Sequence, residues 1–313
     1  MTYLSNQNYT PEAHWCKLPY GMTFRNDATS VAVDSKDNVY FFSRGPVPVM
    51  IFDSEGNFID AWGENEFIKP HGITLDNEDN VYLIDTKGHM LEKRTKEGKL
   101  IFRIGEKGKA AEKQSGDIFN LPTDAAIDPD TGEIFVSDGY GNSRIHKFDP
   151  NGKLIKSWGT PGSGPGEFSL PHNIVLTSDK KIIVADRENF RLQLFTTDGE
   201  FIDQWHIHHP MSVTEGPDGN IFVGEMGPPR VQEGVRNLGN CVSILSPDGK
   251  VIEKLGDELP GPNPNQFVAP HGIAVDSKGS VYVAEVAWSE WYSRQDPTPI
   301  GEVRSVRKWN RNG

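Results

Sequence analysis

The sequence predicts an all-β protein built as a six-bladed β-propeller, and three observations support this fold class. Short apolar, β-branched runs such as NVYFF, EIFVSD and KIIVAD are bounded by glycine-containing turns such as DSEGN and DPNGK, which is typical of strands. No stretch of useful length has the amphipathic period of a helix. The strand–turn–strand pattern recurs six times, with two more short strands after each hairpin, which is typical of propeller blades.

The six repeats can be aligned on the first residue of each innermost strand. These opening residues are Thr29, His71, Thr123, His172, Met211 and His271. Their spacings are 42, 52, 49, 39 and 60 residues. A closed repeat array forms one unit, so we expect residues 1–313 to make a single domain.

The last repeat lacks its outer strand, because the chain ends at SVRKWNRNG. Residues 13–19 (AHWCKLP) precede the first blade and resemble the missing strand. We expect this segment to pair with the last blade. Such closure would remove the exposed sheet edges of an open array.

The composition limits the classes of partner. Lys and Arg number 32 against 44 Asp and Glu, a formal charge of −12, whereas nucleic acids and anionic membranes need a basic surface. No apolar run is long enough for a membrane span, and no secretory signal pattern opens the chain. Only Cys16 and Cys241 are present, so we expect no disulfide framework. We therefore expect a cytoplasmic protein, a monomer or weak oligomer, without nucleic-acid or membrane partners.

The opening residues of blades 2, 4 and 6 are all histidines: His71, His172 and His271. Sixfold pseudosymmetry places alternate blades about 120° apart, so the three imidazoles are predicted to meet on the ring axis. Three imidazoles with a fourth position open are the ligand set of a catalytic zinc. Another divalent transition metal, such as iron or cobalt, could occupy the same ligands. The alternative is three separately hydrogen-bonded histidines in a polar channel.

A second repeat position, at the end of each second strand, is mostly acidic. It holds Ser43, Asp85, Asp138, Asp186, Glu225 and Glu285. Carboxylates at such a position are more often structural, tying neighbouring blades through backbone amides.

The residues just after this position include two arginines and a tyrosine. Arg44 follows in blade 1 and Arg187 in blade 4, and Tyr140 stands one residue further along in blade 3. Around a tri-histidine metal, two guanidinium groups and a phenol could bind a carboxylate and move a proton. The alternatives are inter-blade salt bridges for the arginines and ordinary packing for the tyrosine.

These stretches resemble a known family. The repeats are similar to NHL repeats, and residues 121–159, with VSDGYGNSRI, and 184–195, with ADREN, resemble the catalytic core of peptidyl-α-hydroxyglycine α-amidating lyase. The resemblance implies that His71, His172 and His271 hold zinc. It also implies that Tyr140 is catalytic and that Arg44 and Arg187 lie in the active site.

The family reaction cleaves the C–N bond of an α-hydroxyglycine carbinolamide to an amide and glyoxylate. By resemblance, Tyr140 acts as general base, one arginine favours its phenolate and the other clamps the substrate carboxylate. The substrate is then a small molecule or peptide that bears a carboxylate. Two other readings stay open: a lyase or hydrolase of another small hemiaminal, ester or lactone on the same metal site, and a non-enzymatic NHL binding propeller.

The sequence departs from the family at three places. Family members carry a calcium-binding carboxylate after the third histidine, where Gly272 stands here, so calcium is not expected. Animal members have a disulfide cysteine after the tyrosine, where Gly141 stands, consistent with a reducing compartment. Residues 227–240 and 287–303 are insertions without a family match. They would form either a lid that bears Trp288, Trp291, Tyr292 and Arg230, or surface loops.

Overall fold

The computed structural model describes residues 8–22, 26–227, 238–293 and 303–313. They form six four-stranded antiparallel sheets, and the strand order within each sheet runs from the innermost strand outward. The predicted all-β, six-bladed propeller is thereby confirmed. In the described parts of the chain the helices are short, and none has the length and apolar character of a membrane span.

The chain begins with strand β1 (Tyr9–Pro11) and then builds blades 1 to 3 in order. Blade 1 contains β2 (Ala28–Val33), β3 (Val39–Ser43), β4 (Val49–Phe52) and β5 (Phe58–Trp62). Blade 2 contains β6 (Pro70–Leu75), β7 (Val81–Asp85), β8 (Met90–Arg94) and β9 (Leu100–Ile104). Blade 3 contains β10 (Asp124–Ile127), β11 (Ile134–Asp138), helix α1 (Gly139–Asn142), β12 (Arg144–Phe148) and β13 (Leu154–Trp158).

Blades 4 to 6 repeat the same plan. Blade 4 contains β14 (Pro171–Leu176), β15 (Lys181–Asp186), a 3-10 turn (Arg187–Asn189), β16 (Arg191–Thr196) and β17 (Phe201–His206). Blade 5 contains β18 (Pro210–Glu215), β19 (Ile221–Glu225), β20 (Cys241–Leu245) and β21 (Val251–Leu255). Blade 6 contains β22 (Pro270–Val275), β23 (Val281–Glu285), helix α2 (Ala287–Ser293) and β24 (Val306–Arg311), and β1 is its outer strand.

The ring closes through the N-terminal strand, as expected, but the pairing segment lies earlier than predicted. Strand β1, not residues 13–19, pairs with β24, with Tyr9 opposite Arg311 and Pro11 opposite Trp309. The stretch 13–19 instead crosses from blade 6 to blade 1. There Trp15 is buried, and its indole N–H donates to the Ser54 carbonyl at 2.8 Å. Its apolar pattern therefore signals packing between blades rather than ladder pairing.

Apolar side chains from facing blades form a buried cluster at each of the six blade–blade interfaces. The cluster between blades 6 and 1 includes Trp15, whose ring centroid lies 5.1 Å from that of Tyr282 and 6.0 Å from that of Phe41. Burial of this apolar area is the main stabilising term, at about 25 cal/mol per Å². The rigid ring holds the innermost strands around a central channel.

Candidate metal and active site

The innermost strands aim their opening residues through β-bulges. In blades 2, 4 and 6 the register with the second strand shifts at His71, His172 and His271, and blades 1 and 5 show the same shift. A bulge leaves one residue unpaired and redirects its side chain. The repeat position predicted from the sequence is therefore the position at which the strand turns a side chain away from the ladder.

The three histidines predicted as metal ligands converge. One ligand nitrogen from each of His71, His172 and His271 lies within 4.8 Å of the other two. The ring centroids are 4.8 to 4.9 Å apart, and all three side chains are buried. Among the described residues this is the one group of three or more His, Cys, Asp or Glu able to hold a metal ion.

Backbone carbonyls orient the three rings. The Nδ1 atoms of His71, His172 and His271 lie 2.7, 2.6 and 2.6 Å from the carbonyl oxygens of Thr123, Met211 and Thr29. A carbonyl only accepts, so each Nδ1 carries the proton and donates it. Each Nε2 therefore keeps its lone pair, the form in which imidazole binds a metal.

The surroundings also keep these imidazoles uncharged. Burial is the largest cause, and it lowers the pKa of His71 and His172 well below the usual value. For His271, burial and then the charge of Arg44 lower the pKa to about 3. Metal ligation needs neutral imidazole, so no proton has to be displaced near neutrality.

The site fits a small transition-metal ion. Three atoms within 4.8 Å of one another have a point no more than about 2.8 Å from each (4.8 Å divided by √3), against about 2.0–2.1 Å in a zinc–imidazole bond. A small side-chain movement closes that difference. Nitrogen donors with a fixed tautomer suit zinc, copper, iron or nickel, and they do not suit calcium, which prefers oxygen.

Tyr140 lies directly against two of the histidines. Its hydroxyl oxygen is 3.3 Å from Nε2 of His71 and 3.1 Å from Nε2 of His172. Helix α1 carries the tyrosine between two glycines that a side chain could not replace. A Cβ at Gly139 would stand 2.1 Å from the Pro171 carbonyl oxygen, and one at Gly141 would stand 2.1 Å from Oδ1 of Asn120.

Arg44 and Arg187 each have a carboxylate partner at the site. Nη1 of Arg44 lies 3.0 Å from Oδ2 of Asp27, and Nε of Arg187 lies 2.8 Å from Oε1 of Glu188. Nε of Arg44 is buried and has no hydrogen-bond partner among the described residues. The Arg187 guanidinium carbon is 5.6 Å from the ring centroid of Tyr140. These are not the inter-blade salt bridges considered from the sequence, because Asp27 directly precedes the first strand of the same blade as Arg44, and Glu188 is the sequence neighbour of Arg187. Both pairs leave part of each guanidinium group available.

Sequence reasoning missed a third cation, Lys69. Burial lowers its pKa, and the charges of Arg44 and Lys87 lower it further, because positive groups here exceed their acidic partners. Its charge also contributes to the lowered pKa of His71 and His271. Lys69 stands two residues before His71, but the matching residues of blades 4 and 6 are Leu170 and Ala269, so no repeat signal marked it.

The acidic repeat position is structural, but its carboxylates bind amides that lead into the innermost strand of their own blade, rather than tie neighbouring blades as interpreted from the sequence. The Asp85 carboxylate accepts from the backbone N–H groups of residues 68 and 69, and that of Glu285 accepts from residues 268 and 269. Asp186 accepts from Ser169 in the same way. These amides lie two or three residues before His71, His172 and His271, so the carboxylates fix the chain as it enters the innermost strands of blades 2, 4 and 6.

A buried carboxylate lies in the channel, although Gly272 removes the one that the family pattern leads us to look for. Asp124 follows the opening residue of blade 3, and burial raises its pKa to about 8. One oxygen accepts from the Asn173 amide, and Oδ1 has no partner among the described residues. Gly72 leaves room for it, since a Cβ there would stand 2.4 Å from Oδ1.

Part of the two insertions can be placed. Helix α2 opens the second insertion, and Trp288 and Trp291 pack against a buried cluster that includes Val268 and Ala287. Arg230 and the side chain of Tyr292 lie outside the described residues. On the other side of the channel mouth, a cavity of about 510 Å³ borders Tyr140 and is lined mainly by polar residues, including Gln114, Ser163 and Asn189.

Comparison with known proteins gives related sequences over most of the chain. Peptidyl-glycine alpha-amidating monooxygenase of Mus musculus is 32% identical over 82% of this chain and 29% of its own length. Peptidyl-alpha-hydroxyglycine alpha-amidating lyase 1 of Drosophila melanogaster is 33% identical over 72% of this chain and 44% of its own length. The chain thus spans about a third of the first of these relatives. NHL repeat-containing protein 3 of Homo sapiens is 32% identical over 89% of this chain and 81% of that protein.

Solved structures share the fold at low sequence identity. Virginiamycin B lyase from Staphylococcus aureus has a TM-score of 0.60 at 14% identity and covers 96% of this chain and 99% of that one. A gluconolactonase from Xanthomonas campestris has a TM-score of 0.62 at 10% identity and covers 92% of this chain and 86% of that one. At this identity the likeness concerns the fold alone.

A family model for the NHL repeat matches residues 119–148 and 168–195, which form the core of blades 3 and 4. The assignment extends to the rest of the ring for two reasons. All six blades are four-stranded sheets of the same topology, and the similarity to NHL repeat-containing protein 3 covers 89% of this chain. The chain therefore belongs to the NHL-repeat propellers, a family in which its relatives include proteins named peptidyl-α-hydroxyglycine α-amidating lyase.

Proposed function

We propose that this chain is a metal-dependent lyase that cleaves the C–N bond of a carbinolamide, HO–CH(COO⁻)–NH–CO–R. The products are glyoxylate and the amide H₂N–CO–R. The observation that carries the proposal is the contact of the Tyr140 hydroxyl with two of three converging, neutral imidazoles. Relatives named for this lyase activity support it.

His71, His172 and His271 would hold the metal, and we propose zinc. Bound there, the ion supplies a Lewis acid that makes a hydroxyl oxygen easier to deprotonate. The chain's own part is to keep three lone pairs aimed at one point, which the Nδ1–carbonyl hydrogen bonds do.

Tyr140 moves the proton. Its oxygen is placed to take the proton of the substrate hydroxyl and to deliver it to the departing amide nitrogen. The C–N bond breaks while the carbinol carbon becomes the aldehyde carbon of glyoxylate, so atoms and charge balance. The guanidinium carbon of Arg187 lies 5.6 Å from the ring centroid of Tyr140, a cation–π contact that holds the ring in place.

Arg44 and Lys69 bind the substrate carboxylate. Asp27 holds Nη1 of Arg44, and the buried Nε has no hydrogen-bond partner among the described residues, so the guanidinium group keeps donor capacity for the substrate carboxylate. The excess of cations around Lys69 favours an anion at this point. This division of work, with Arg44 on the carboxylate and Arg187 beside the tyrosine, is one that the sequence left open. We propose accordingly a small molecule or peptide with a carboxylate as substrate.

The test is a glyoxylate assay on zinc-loaded protein with α-hydroxyhippurate, with ureidoglycolate and a lactone as parallel substrates. The proposal expects glyoxylate and benzamide from α-hydroxyhippurate, and loss of activity on metal removal. Turnover of only the lactone or ureidoglycolate would replace this reaction by another on the same site. A protein that takes up no metal and is inactive on all three substrates would instead support a non-enzymatic binding propeller. We also propose a cytoplasmic location, since the chain has only two cysteines, Cys16 and Cys241, and they are not joined in a disulfide.

A further inference from the structure

We propose that helix α2 positions Arg44 through Ser289 and Asp27, so that this helix sets the affinity of the site for a substrate carboxylate. The inference rests on the proposed function, in which Arg44 binds that carboxylate. Ser289 is then a positioning residue, because it acts on substrate only through two other side chains.

The Asp27 carboxylate joins the helix to the arginine. Its Oδ1 accepts from the backbone N–H of Ser289 at 2.9 Å, and its Oδ2 accepts from the Ser289 hydroxyl at 2.7 Å. The same Oδ2 lies 3.0 Å from Nη1 of Arg44. Asp27 is buried, at 5% exposure, so these partners replace its water. Both oxygens are engaged, and the carboxylate cannot turn without breaking a bond to Ser289.

A fixed carboxylate matters because an arginine side chain is otherwise mobile. The rotamer entropy of such a side chain must be lost when it binds a ligand. Asp27 removes part of that freedom before the substrate arrives. It engages only Nη1 of the guanidinium group, and Nε has no hydrogen-bond partner among the described residues. Loss of the Ser289 hydroxyl would loosen Asp27 and, with it, Arg44.

Helix α2 is itself held firmly where it contacts Asp27. Ala287 is completely buried, and the tryptophans on either side of Ser289 pack against the cluster around Val268. The segment just before the helix ends in Glu285, whose carboxylate binds the amides that lead into His271. The helix is thus attached to the metal-facing strand of blade 6 and reaches across to blade 1.

The coupling is specific to one of the two arginines. Arg187 is held by Glu188 on the far side of the ring, and Glu188 is contacted by His209 rather than by α2. A change at Ser289 should therefore weaken carboxylate binding and raise KM. The proton transfer by Tyr140, which sets kcat, should stay unchanged.

The chain contains a matched control for this contact. Ser277 of blade 6 donates its N–H and its hydroxyl to the Asp37 carboxylate of blade 1, at 3.0 and 2.7 Å. The chemistry and the two blades are the same as for Ser289 and Asp27. Asp37 lies in the hairpin turn at the opposite end of the innermost strands, away from Arg44, so Ser277→Ala reports the purely structural cost of such a contact.

The experiment compares three single variants in zinc-loaded protein: Ser289→Ala, Ser289→Thr and Ser277→Ala. Ser289→Ala is also combined with Arg44→Ala and compared with Arg44→Ala alone. Calorimetry measures the Kd of hippurate, which keeps the carboxylate but lacks the reacting hydroxyl, and the glyoxylate assay measures KM and kcat. Ser289→Ala should raise Kd and KM about three- to tenfold, the effect of one lost hydrogen bond, with kcat within about twofold. Ser289→Thr should restore both, and Ser277→Ala should change neither.

In the Arg44→Ala background, Ser289→Ala should have no further effect on hippurate binding. The inference would be overturned if Ser289→Ala and Ser277→Ala raised the Kd of hippurate equally. It would also be overturned if Ser289→Ala raised that Kd as much in the Arg44→Ala background as in the wild type. A wild-type protein that binds hippurate but releases no glyoxylate contradicts the proposed reaction alone, because the calorimetric comparison still decides the role of Ser289. No binding of hippurate by the wild type would contradict both.

Discussion

Replacement of Tyr140 by Phe tests the proposed proton transfer most directly. The change removes one oxygen, which lies 3.3 and 3.1 Å from Nε2 of His71 and His172. The ring itself should stay in place, because Arg187 covers it and the flanking glycines pack against Pro171 and Asn120. The metal ligands keep their own hydrogen bonds to backbone carbonyls, so metal content should not change.

The expected loss in kcat is about two to four orders of magnitude, as for removal of a positioned acid–base group. This corresponds to roughly 3–5 kcal/mol of barrier, at about 1.36 kcal/mol per factor of ten. The stability cost should be much smaller, about 0.5–1.5 kcal/mol for one hydrogen bond. KM should stay within a few-fold, because Arg44 and Lys69, rather than the phenol, meet the substrate carboxylate.

The assay is steady-state glyoxylate release from α-hydroxyhippurate, with zinc content and thermal midpoint measured on the same samples. Tyr282→Phe is the matched control: its hydroxyl donates to Asp276 at 3.0 Å in a buried site of blade 6, away from the histidines. It should lose stability and keep kcat. A Tyr140→Phe protein with full zinc and unchanged kcat would remove the phenol from the reaction.

Three more predictions follow from the same geometry. His172→Ala should reduce zinc, measured by elemental analysis, to well below one ion per chain, whereas exposed His206→Ala should leave it unchanged; full zinc in the first variant would disprove the ligand assignment. Burial raises the pKa of Asp124 from 3.8 to about 8, so the folded state keeps a proton that the unfolded chain releases, and stability falls as pH rises from about 4 to about 8. Asp124→Asn should therefore stabilise metal-free protein more at pH 8 than at pH 5, by about 4 kcal/mol at most (three pH units at about 1.36 kcal/mol per unit for one proton), and equal thermal shifts at the two pH values would contradict this. Glu188→Gln should loosen Arg187 and lower kcat about three- to tenfold with little change in KM, while Glu106→Gln, at an exposed pair with Lys109, should change neither; an unchanged kcat would separate Glu188 from the site.

The repeat arithmetic was enough to predict the architecture and to select the residues that meet on the axis. Strand period, turn residues and the spacing of opening residues all depend on local chemistry that is written in the sequence. The closing strand was misplaced because an apolar segment can be buried in two ways. Trp15 is buried between blades, whereas Tyr9–Pro11, short and polar at Thr10, makes the actual ladder.

The residues that support the site were not predictable in the same way. Asp27 and Ser289 are 262 positions apart and occupy no shared repeat position, so only the closed ring brings them together. Lys69 and Glu188 each act on a neighbour that the repeat did mark, but their equivalents in other blades differ. Such residues are specific to one blade, and a pattern based on sixfold similarity does not detect them.

The alternation of histidines has a further consequence that spacing alone did not show. Each histidine of blades 2, 4 and 6 donates Nδ1–H to the opening residue of blade 3, 5 or 1, and the acceptor is always a backbone carbonyl. Blades without a histidine therefore orient the rings of those that have one. Because a carbonyl belongs to every residue, these blades can carry Thr29, Thr123 or Met211 at the opening position without loss of the acceptor. A histidine on each of two adjacent blades would still find a carbonyl, but the three rings would no longer converge symmetrically from alternate blades.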